Sequence, residues 1–262
     1  MSPTIRFLTA AALALLPGTA GALEIAALNQ RNELVLFDDA APAKTRVLPL
    51  TGVTGKLLGI DVRPADGKLY GVATDGGIYT LSLTDGAATR VSRLSVPLER
   101  VDHIVVDFNP QADRLRVMAS NGQNLRVNVD TGQAAVDKPL AYAAKDRNAG
   151  KTPAVHAGAY INSFAGATST QLFDVDSALG LYLVQDPPND GVLRTVGPTG
   201  LEPGTVVEGI DIFTDAQDEY HGRAVAGGRL YSFDVARGRM TAMGAVGDGR
   251  MALIDLAILD KR

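Results

Sequence analysis

The chain of 262 residues is 46% hydrophobic and 21% charged, which is typical of a globular protein with one large domain or two small ones. It contains no cysteine, which excludes disulfides, thiolate catalysis, cysteine-ligated zinc and iron–sulfur clusters. The formal net charge of −4 argues against nucleic acid as a partner, because nucleic-acid-binding surfaces are basic.

The N-terminal segment 1–22 has the three parts of a secretory signal peptide. The basic residue Arg6 precedes an apolar run at 7–16, and Ala20-Gly21-Ala22 has the form of a cleavage site. The apolar run is too short to span a bilayer, which needs about 20 residues. We therefore expect cleavage after Ala22 and a periplasmic or secreted protein without a membrane span, in which 23–262 is a single domain.

Short strands then recur in units of about 46 residues. In the clearest unit, an apolar strand ends at Asp107, a second strand follows, and Asn121-Gly122 turns the chain into a third. Asn-Gly between alternating strands is the strongest short hairpin signal, because both turn positions need a positive φ. Complete units of this kind occupy 57–94, 104–139, 155–196 and 206–246.

The two ends of the mature chain supply the parts of one further unit. The segment 23–50 contains only three strands, and 251–259 contains one strand of the type that begins the other units. Four strands per unit at this period indicate a β-propeller, whose ring closes when the terminal strands pair. The sequence thus predicts an all-β fold with five four-stranded blades. A count of six stays open if the long third unit contains an extra pair of strands.

An aspartate marks the end of the first strand in four units, at Asp61, Asp107, Asp211 and Asp255. A weaker fifth copy of this strand is 159–162. Because a repeated feature serves the repeat, we favour a structural role, in which each carboxylate accepts backbone N–H groups of the following turn. The alternative is a ring of carboxylates near the axis that binds Ca²⁺, which prefers several oxygen ligands.

Three polar features occur only once and are therefore the candidate ligand-binding sites. They are the long link 137–153, the Pro-Pro loop 185–191, and the polar face of the strand that follows Gly122. Long loops are often functional, and a stiff loop loses little entropy on binding. The candidate residues are Asn124, Arg126, Asn128, Tyr142, Asp146, Asn148, Gln185, Asp186, Asn189 and Asp190.

The strand's polar face has two interpretations, a hydrogen-bonded network between blades or a ligand surface. The loop could instead have a purely structural role as a rigid hairpin connection, and the link could serve as a cover over the channel mouth. Strand direction places the link and the loop at opposite rims, so we do not expect them to form one site.

No catalytic motif is present. The sequence lacks the G-x-S-x-G of serine hydrolases and the H-E-x-x-H of zinc proteases, and its three histidines are scattered singly. The leading hypothesis is a non-catalytic, monomeric binding module without a cofactor, which binds a partner protein or a small polar ligand. The alternative is a Ca²⁺-dependent hydrolase or lactonase, with the four repeated aspartates as metal ligands.

Several long phrases of the sequence resemble the bacterial family DUF4394, a domain of unknown function. They are DFNP at 107–110, DRLRV at 113–117, NGQNLRVN at 121–128, DRNAG at 146–150, AYIN at 159–162 and QDPPNDG at 185–191. The resemblance extends from about Glu24 to the end of the chain. The family usually has Asn at the position of Asp186, so this chain adds one acidic group there. The resemblance implies an exported, propeller-like domain and supplies no reaction and no catalytic residue.

Overall fold

The computed structural model describes residues 22–98, 103–119 and 121–260. Almost all of the predicted signal peptide, 1–21, lies outside the described residues, so that prediction stays untested. The described chain consists of strands apart from one short 3₁₀ turn at Pro188–Asp190. Among these residues, no helix has the length and the apolar character needed to cross a membrane.

The strands form five sheets, which we call blades I to V. Blade I contains β1 (Glu24–Asn29), β2 (Glu33–Asp38) and β3 (Arg46–Pro49), and it is completed by the last strand of the chain. Blade II contains β4 (Leu57–Val62), β5 (Leu69–Ala73), β6 (Gly77–Leu81) and β7 (Ala88–Arg93). Blade III contains β8 (Ile104–Asn109), β9 (Arg114–Ala119), β10 (Asn124–Val127) and β11 (Ala134–Val136).

Blade IV has a fifth strand, β12 (Ala141–Tyr142), which runs parallel to its outer strand. Its other strands are β13 (Val155–Tyr160), β14 (Leu172–Asp176), β15 (Leu181–Gln185) and β16 (Val192–Pro198). Blade V contains β17 (Gly209–Thr214), β18 (Tyr220–Ala226), β19 (Arg229–Phe233) and β20 (Met240–Ala245). The last strand, β21 (Leu253–Ile258), pairs with β1 and belongs to blade I.

The inner strands of the five blades form a closed ring, in which β4, β8, β13, β17 and β21 each lie beside the next. The ring closes because β21 and β1 pair in antiparallel fashion, with Ile25 opposite Ile258 and Leu28 opposite Asp255. The predicted five-bladed propeller, closed by its terminal strands, is therefore confirmed. The third unit adds only the short β12 to its blade, so the alternative of six blades is wrong.

Apolar side chains fill the seams between blades. Between blades II and III, Leu58 and Val72 pack in one cluster with Val106 and Val117. Similar clusters occupy the other four seams, as expected when the apolar residues of a strand alternate and each blade buries both of its faces. The apolar packing holds the blades in a ring, and the polar groups that interrupt it stand out as candidates for function.

Candidate functional sites

Four aspartates at the ends of the inner strands connect neighbouring blades. One carboxylate oxygen of each accepts a hydrogen bond from a backbone N–H of the next inner strand. The pairs are Asp61 with Phe108 (2.6 Å), Asp107 with Tyr160 (2.9 Å), Asp211 with Ile258 (2.6 Å) and Asp255 with Ile60 (2.8 Å). Four of the five seams therefore contain the same connection, which we call the aspartate clamp.

The clamp differs from the local turn capping that the sequence predicts. Asp61, Asp211 and Asp255 do accept the N–H of the residue that follows each of them, but their second oxygen reaches across to another blade. In blade IV, Tyr160 takes the place that Phe108 has in blade III, so Ala159 stands where the aspartate would be. The segment of blade IV that corresponds to the aspartate-marked strand end is therefore 157–160, so the predicted fifth copy at 159–162 lies two residues too far along the chain.

The clamp carboxylates converge near the axis. Oxygens of Asp61, Asp107 and Asp211, from three different inner strands, lie within 4.8 Å of one another. Burial, and then the neighbouring carboxylates, raise the pKa of Asp61 and Asp107 well above the usual range. Burial also raises the pKa of Asp211, to about 6, against the lowering effect of its two backbone hydrogen bonds. The cluster therefore holds protons that exposed aspartates would release.

The seam between blades III and IV contains a buried polar network around Arg116, which is only 1% exposed. We call it the Arg116 network. Arg116 donates Nε to the Tyr160 hydroxyl (3.2 Å), Nη1 to Asn124 Oδ1 (2.8 Å) and Asp137 Oδ2 (2.6 Å), and Nη2 to Asn189 Oδ1 (2.9 Å). The charge-assisted bond to Asp137 is of the kind that makes a buried arginine stable.

Three of the predicted ligand-binding residues belong to this network. Asn124 accepts from Arg116 and donates Nδ2 to the backbone oxygens of Lys138 and Pro188. Gln185 donates Nε2 to the Pro188 oxygen at 2.7 Å, and Asn189 accepts from Arg116. For Asn124, the structure therefore agrees with the interpretation as a network between blades.

The long link and the Pro-Pro loop meet, so their predicted placement at opposite rims is wrong. The backbone N–H of Lys138 donates to the backbone oxygen of Asn189 at 3.1 Å, and Lys138 Nζ lies 2.8 Å from Asp190 Oδ1. The Ala141 N–H then donates to Gly191, where β12 begins to follow β16. The prediction used strand direction alone, whereas the strands of a blade twist, so that the ends of the outer strands are displaced sideways.

The other candidates of the link attach it to blade IV. The Tyr142 hydroxyl donates to Asp176 Oδ2 at 2.6 Å, and burial together with this carboxylate raises the pKa of Tyr142. Asp146 accepts from the N–H and the hydroxyl of Thr195, which also accepts from Asn148. Burial alone would raise the pKa of Asp146, but these hydrogen bonds lower it.

The remaining candidate of the loop, Asp186, is exposed, and its carboxylate accepts no hydrogen bond from the part of the chain that the structure describes. Its backbone N–H donates to the Val192 oxygen at 2.8 Å, which places the residue at the base of the loop.

Arg126 and Asn128 line an open cleft of about 450 Å³ on blade III. We call it the blade III cleft, and its other walls are Arg114, Thr131, Gln133, Ala134 and Ala135. Asp137 holds the Arg126 guanidinium through two bonds, from Nε (2.7 Å) and Nη2 (2.9 Å). Asn128 Oδ1 accepts the N–H groups of Asp130 and Thr131. Within the described ranges, Nη1 of Arg126 and Nδ2 of Asn128 have no acceptor.

Sequence reasoning missed Arg114 and Arg116, although the signal was present. Both alternate with the buried Leu115 and Val117, which places them on one face of β9. Arg116 lies opposite Arg126 in the sheet, so this face continues the polar face predicted on β10. The same alternation that indicated Arg126 and Asn128 would have found the two arginines.

Comparison with known proteins identifies a family. The family model described as "Domain of unknown function (DUF4394)" matches residues 33–257. No curated protein matches the sequence.

Among solved structures, a protein of unknown function from Bacteroides caccae is 9% identical, with a TM-score of 0.44 over 84% of this chain and 72% of that one. Another, from Bacteroides thetaiotaomicron VPI-5482, is 16% identical, with a TM-score of 0.49 over 86% and 58%. The structure of U3-55K is 16% identical, with a TM-score of 0.43 over 74% and 53%. The chain thus spans less than two thirds of the latter two proteins, and none of these similarities carries a function to it.

The buried clamp predicts a pH dependence of stability. Between about pH 4 and 6, folded Asp211 keeps a proton that the unfolded chain has released, so stability falls as the pH rises through this window. Asp211→Asn removes the titrating group, and its melting temperature should fall less than that of the wild type over the same window. Thermal unfolding between pH 4 and 8 measures this. The exposed Asp186→Asn should keep the wild-type slope, and an unchanged slope in Asp211→Asn would contradict the prediction.

The Arg116 network predicts unequal costs for two neighbouring arginines. Arg116→Met removes the cation of a buried pair and leaves Asn124 Oδ1 and Asn189 Oδ1 without a donor, which should cost about 3–5 kcal/mol. Arg126 contacts the same Asp137, but its side chain is 39% exposed, so Arg126→Met should cost about 1 kcal/mol or less. Urea unfolding of both variants measures the difference, and equal costs would show that the seam does not depend on Arg116.

Proposed function

The chain belongs to the DUF4394 family, which is described only as a domain of unknown function, and we propose that the protein is a non-catalytic binding module for a small polar ligand. The family supplies no reaction that could be carried over to this chain. One observation carries the proposal, namely that unpaired side-chain donors line the blade III cleft. Its volume of about 450 Å³ is within the range of about 300–1,000 Å³ that small-molecule sites occupy.

The free side-chain groups of Arg126 and Asn128 in the cleft are hydrogen-bond donors, so a ligand that binds them must supply acceptors. Arg126 and Arg114 contribute two positive charges, and Asn128 adds an amide N–H pair. A guanidinium matches the geometry of a carboxylate or phosphate with two parallel bonds. The hydrogen bonds that Arg126 donates to Asp137 raise the pKa of Arg126 and hold its side chain in place, so little entropy is lost when a ligand binds. The ligand class is therefore a small anion, such as a carboxylate or phosphate.

A small ligand is favoured over a partner protein on the Pro-Pro loop. Two of the loop's three polar tip residues already bind within the chain, because Asn189 accepts from Arg116 and Asp190 pairs with Lys138. The predicted signal peptide at 1–22 completes the proposal, which is an exported, single-domain monomer of 23–262 that meets its ligand in the periplasm or outside the cell.

Calorimetric titration of the mature chain with inorganic phosphate, citrate and D-glucuronate tests the function. At least one probe should bind with a Kd below about 1 mM. Arg126→Gln should weaken that binding about tenfold or more, because it removes a charge-assisted hydrogen-bond donor.

The matched control is Arg237→Gln, which makes the same charge change at a side chain that is 80% exposed in blade V. It should bind like the wild type. An equal loss in both variants, or no binding of any probe, would contradict the assignment of the cleft.

A second candidate function is the Ca²⁺-dependent hydrolase or lactonase, with Asp61, Asp107, Asp211 and Asp255 as ligands. The specific observation in its favour is the convergence of three of these carboxylates within 4.8 Å, since Ca²⁺ takes such oxygens. It ranks second because all four residues are at most 7% exposed, whereas a catalytic metal needs a coordination position open to substrate.

Thermal unfolding with EDTA or added CaCl₂ separates the two functions. For the binding module, we expect the same melting temperature in both solutions. A bound ion would stabilise the fold by RT ln(1 + [L]/Kd), about 2.7 kcal/mol at a hundredfold excess over Kd. A rise in melting temperature with Ca²⁺ that is lost in Asp211→Asn would favour the metal-dependent enzyme.

A further inference from the structure

Two buried side chains of blade IV leave three acceptor oxygens without a donor among the described residues. They are both carboxyl oxygens of Asp174, which is 0% exposed, and Oε1 of Gln185, which is 1% exposed. The Gln185 amide cannot simply flip, because its Nε2 donates to the Pro188 oxygen. Buried polar groups nearly always have partners, and each one left unpaired is costly.

The three oxygens lie on one face of blade IV, inside the seam with blade III. Asp174 stands opposite Leu183, and Gln185 follows two residues later on β15, so the two polar side chains are diagonal neighbours. Gly158 lies opposite Asp174 on β13. A Cβ at Gly158 would be 2.5 Å from Asp174 Oδ1 and 3.1 Å from Val105 Cγ1 of blade III. The Asp174 carboxyl therefore fills the space that the glycine leaves, between the two blades.

The charged donor that acts on Asp174, Arg116, is mostly committed to other acceptors. Arg116, from β9, uses four N–H groups on other acceptors and retains one N–H of Nη2. Its charge lowers the pKa of Asp174, but burial outweighs this effect and raises that pKa to about 8. Arg126 and Asp137, which also lie at this seam, are bonded to each other. None of the three oxygens has a hydrogen-bond partner among the described residues.

We propose that the seam between blades III and IV is a binding site for one small hydrogen-bond donor, water or ammonium, that bridges Asp174 and Gln185 Oε1. Water donates two hydrogen bonds, one to each side chain, and accepts one from the spare N–H of Arg116. Ammonium also donates to both side chains, and its positive charge favours the ionised form of the Asp174 carboxyl. This site is separate from the blade III cleft and takes the opposite class of ligand, a donor instead of an acceptor.

A crystal structure of the mature chain at about 1.5 Å resolution tests the proposal. It should show one density peak within about 3.2 Å of both an Asp174 oxygen and Gln185 Oε1. Empty density there, or a direct hydrogen bond between the two side chains, would overturn it.

Thermal unfolding in NH₄Cl and in NaCl at equal ionic strength identifies the molecule. A higher melting temperature in NH₄Cl that disappears in Asp174→Asn assigns ammonium, because the amide cannot pair with a cation. Equal melting temperatures, together with the density peak, assign water. Asp186→Asn, which changes an exposed aspartate outside the seam, serves as the matched control and should respond to the two salts like the wild type.

Discussion

The structure depends on the closure of a ring of five inner strands, because each blade is held only by its two neighbours. The aspartate clamp sets how closely these strands approach. A Cβ at Gly59 would lie 2.6 Å from Val106 Cγ2, and one at Gly209 would lie 2.5 Å from Asp255 Oδ1. Only a residue without a side chain fits at these two positions, where the Asp255 carboxylate approaches the backbone of a neighbouring inner strand. At the clamps of Asp61 and Asp107 no glycine takes this position.

The clamp brings like charges together, so it cannot be repeated without cost. Burial, and then repulsion between neighbouring carboxylates, keeps protons on this cluster near the axis. The seam between blades IV and V lacks a clamp and is joined in other ways. Tyr182 packs against Phe233 with ring centroids 5.7 Å apart, and the Asn162 N–H donates to the Thr214 hydroxyl across the seam. Apolar burial there replaces a fifth carboxylate.

The blade count could be predicted because it follows from local sequence signals. The polar contacts between blades could not, because they join residues that are far apart in the sequence. Turns such as Asn121-Gly122 and the incomplete units at both ends are local signals, and they fix the strand order. Alternation along β9 and β10 shows which residues share a face. It does not show that Arg116 reaches Tyr160, 44 residues away, or Asn189, 73 residues away. Such partners follow from the twist of two adjoining blades, which a single sequence does not reveal.

The polar groups that occur only once concentrate on blade III and its seam with blade IV, and one carboxylate connects them. Asp137 Oδ2 accepts from Arg116 at 2.6 Å and from Arg126 at 2.7 Å. The first arginine lies inside the seam and the second lines the cleft. Asp137 holds Arg126 through Nε and Nη2, so the Nη1 group of Arg126 stays available to the cleft while the carboxylate keeps its bond to Arg116. The buried network and the open cleft therefore share one carboxylate, a connection that the repeated aspartate clamp does not make.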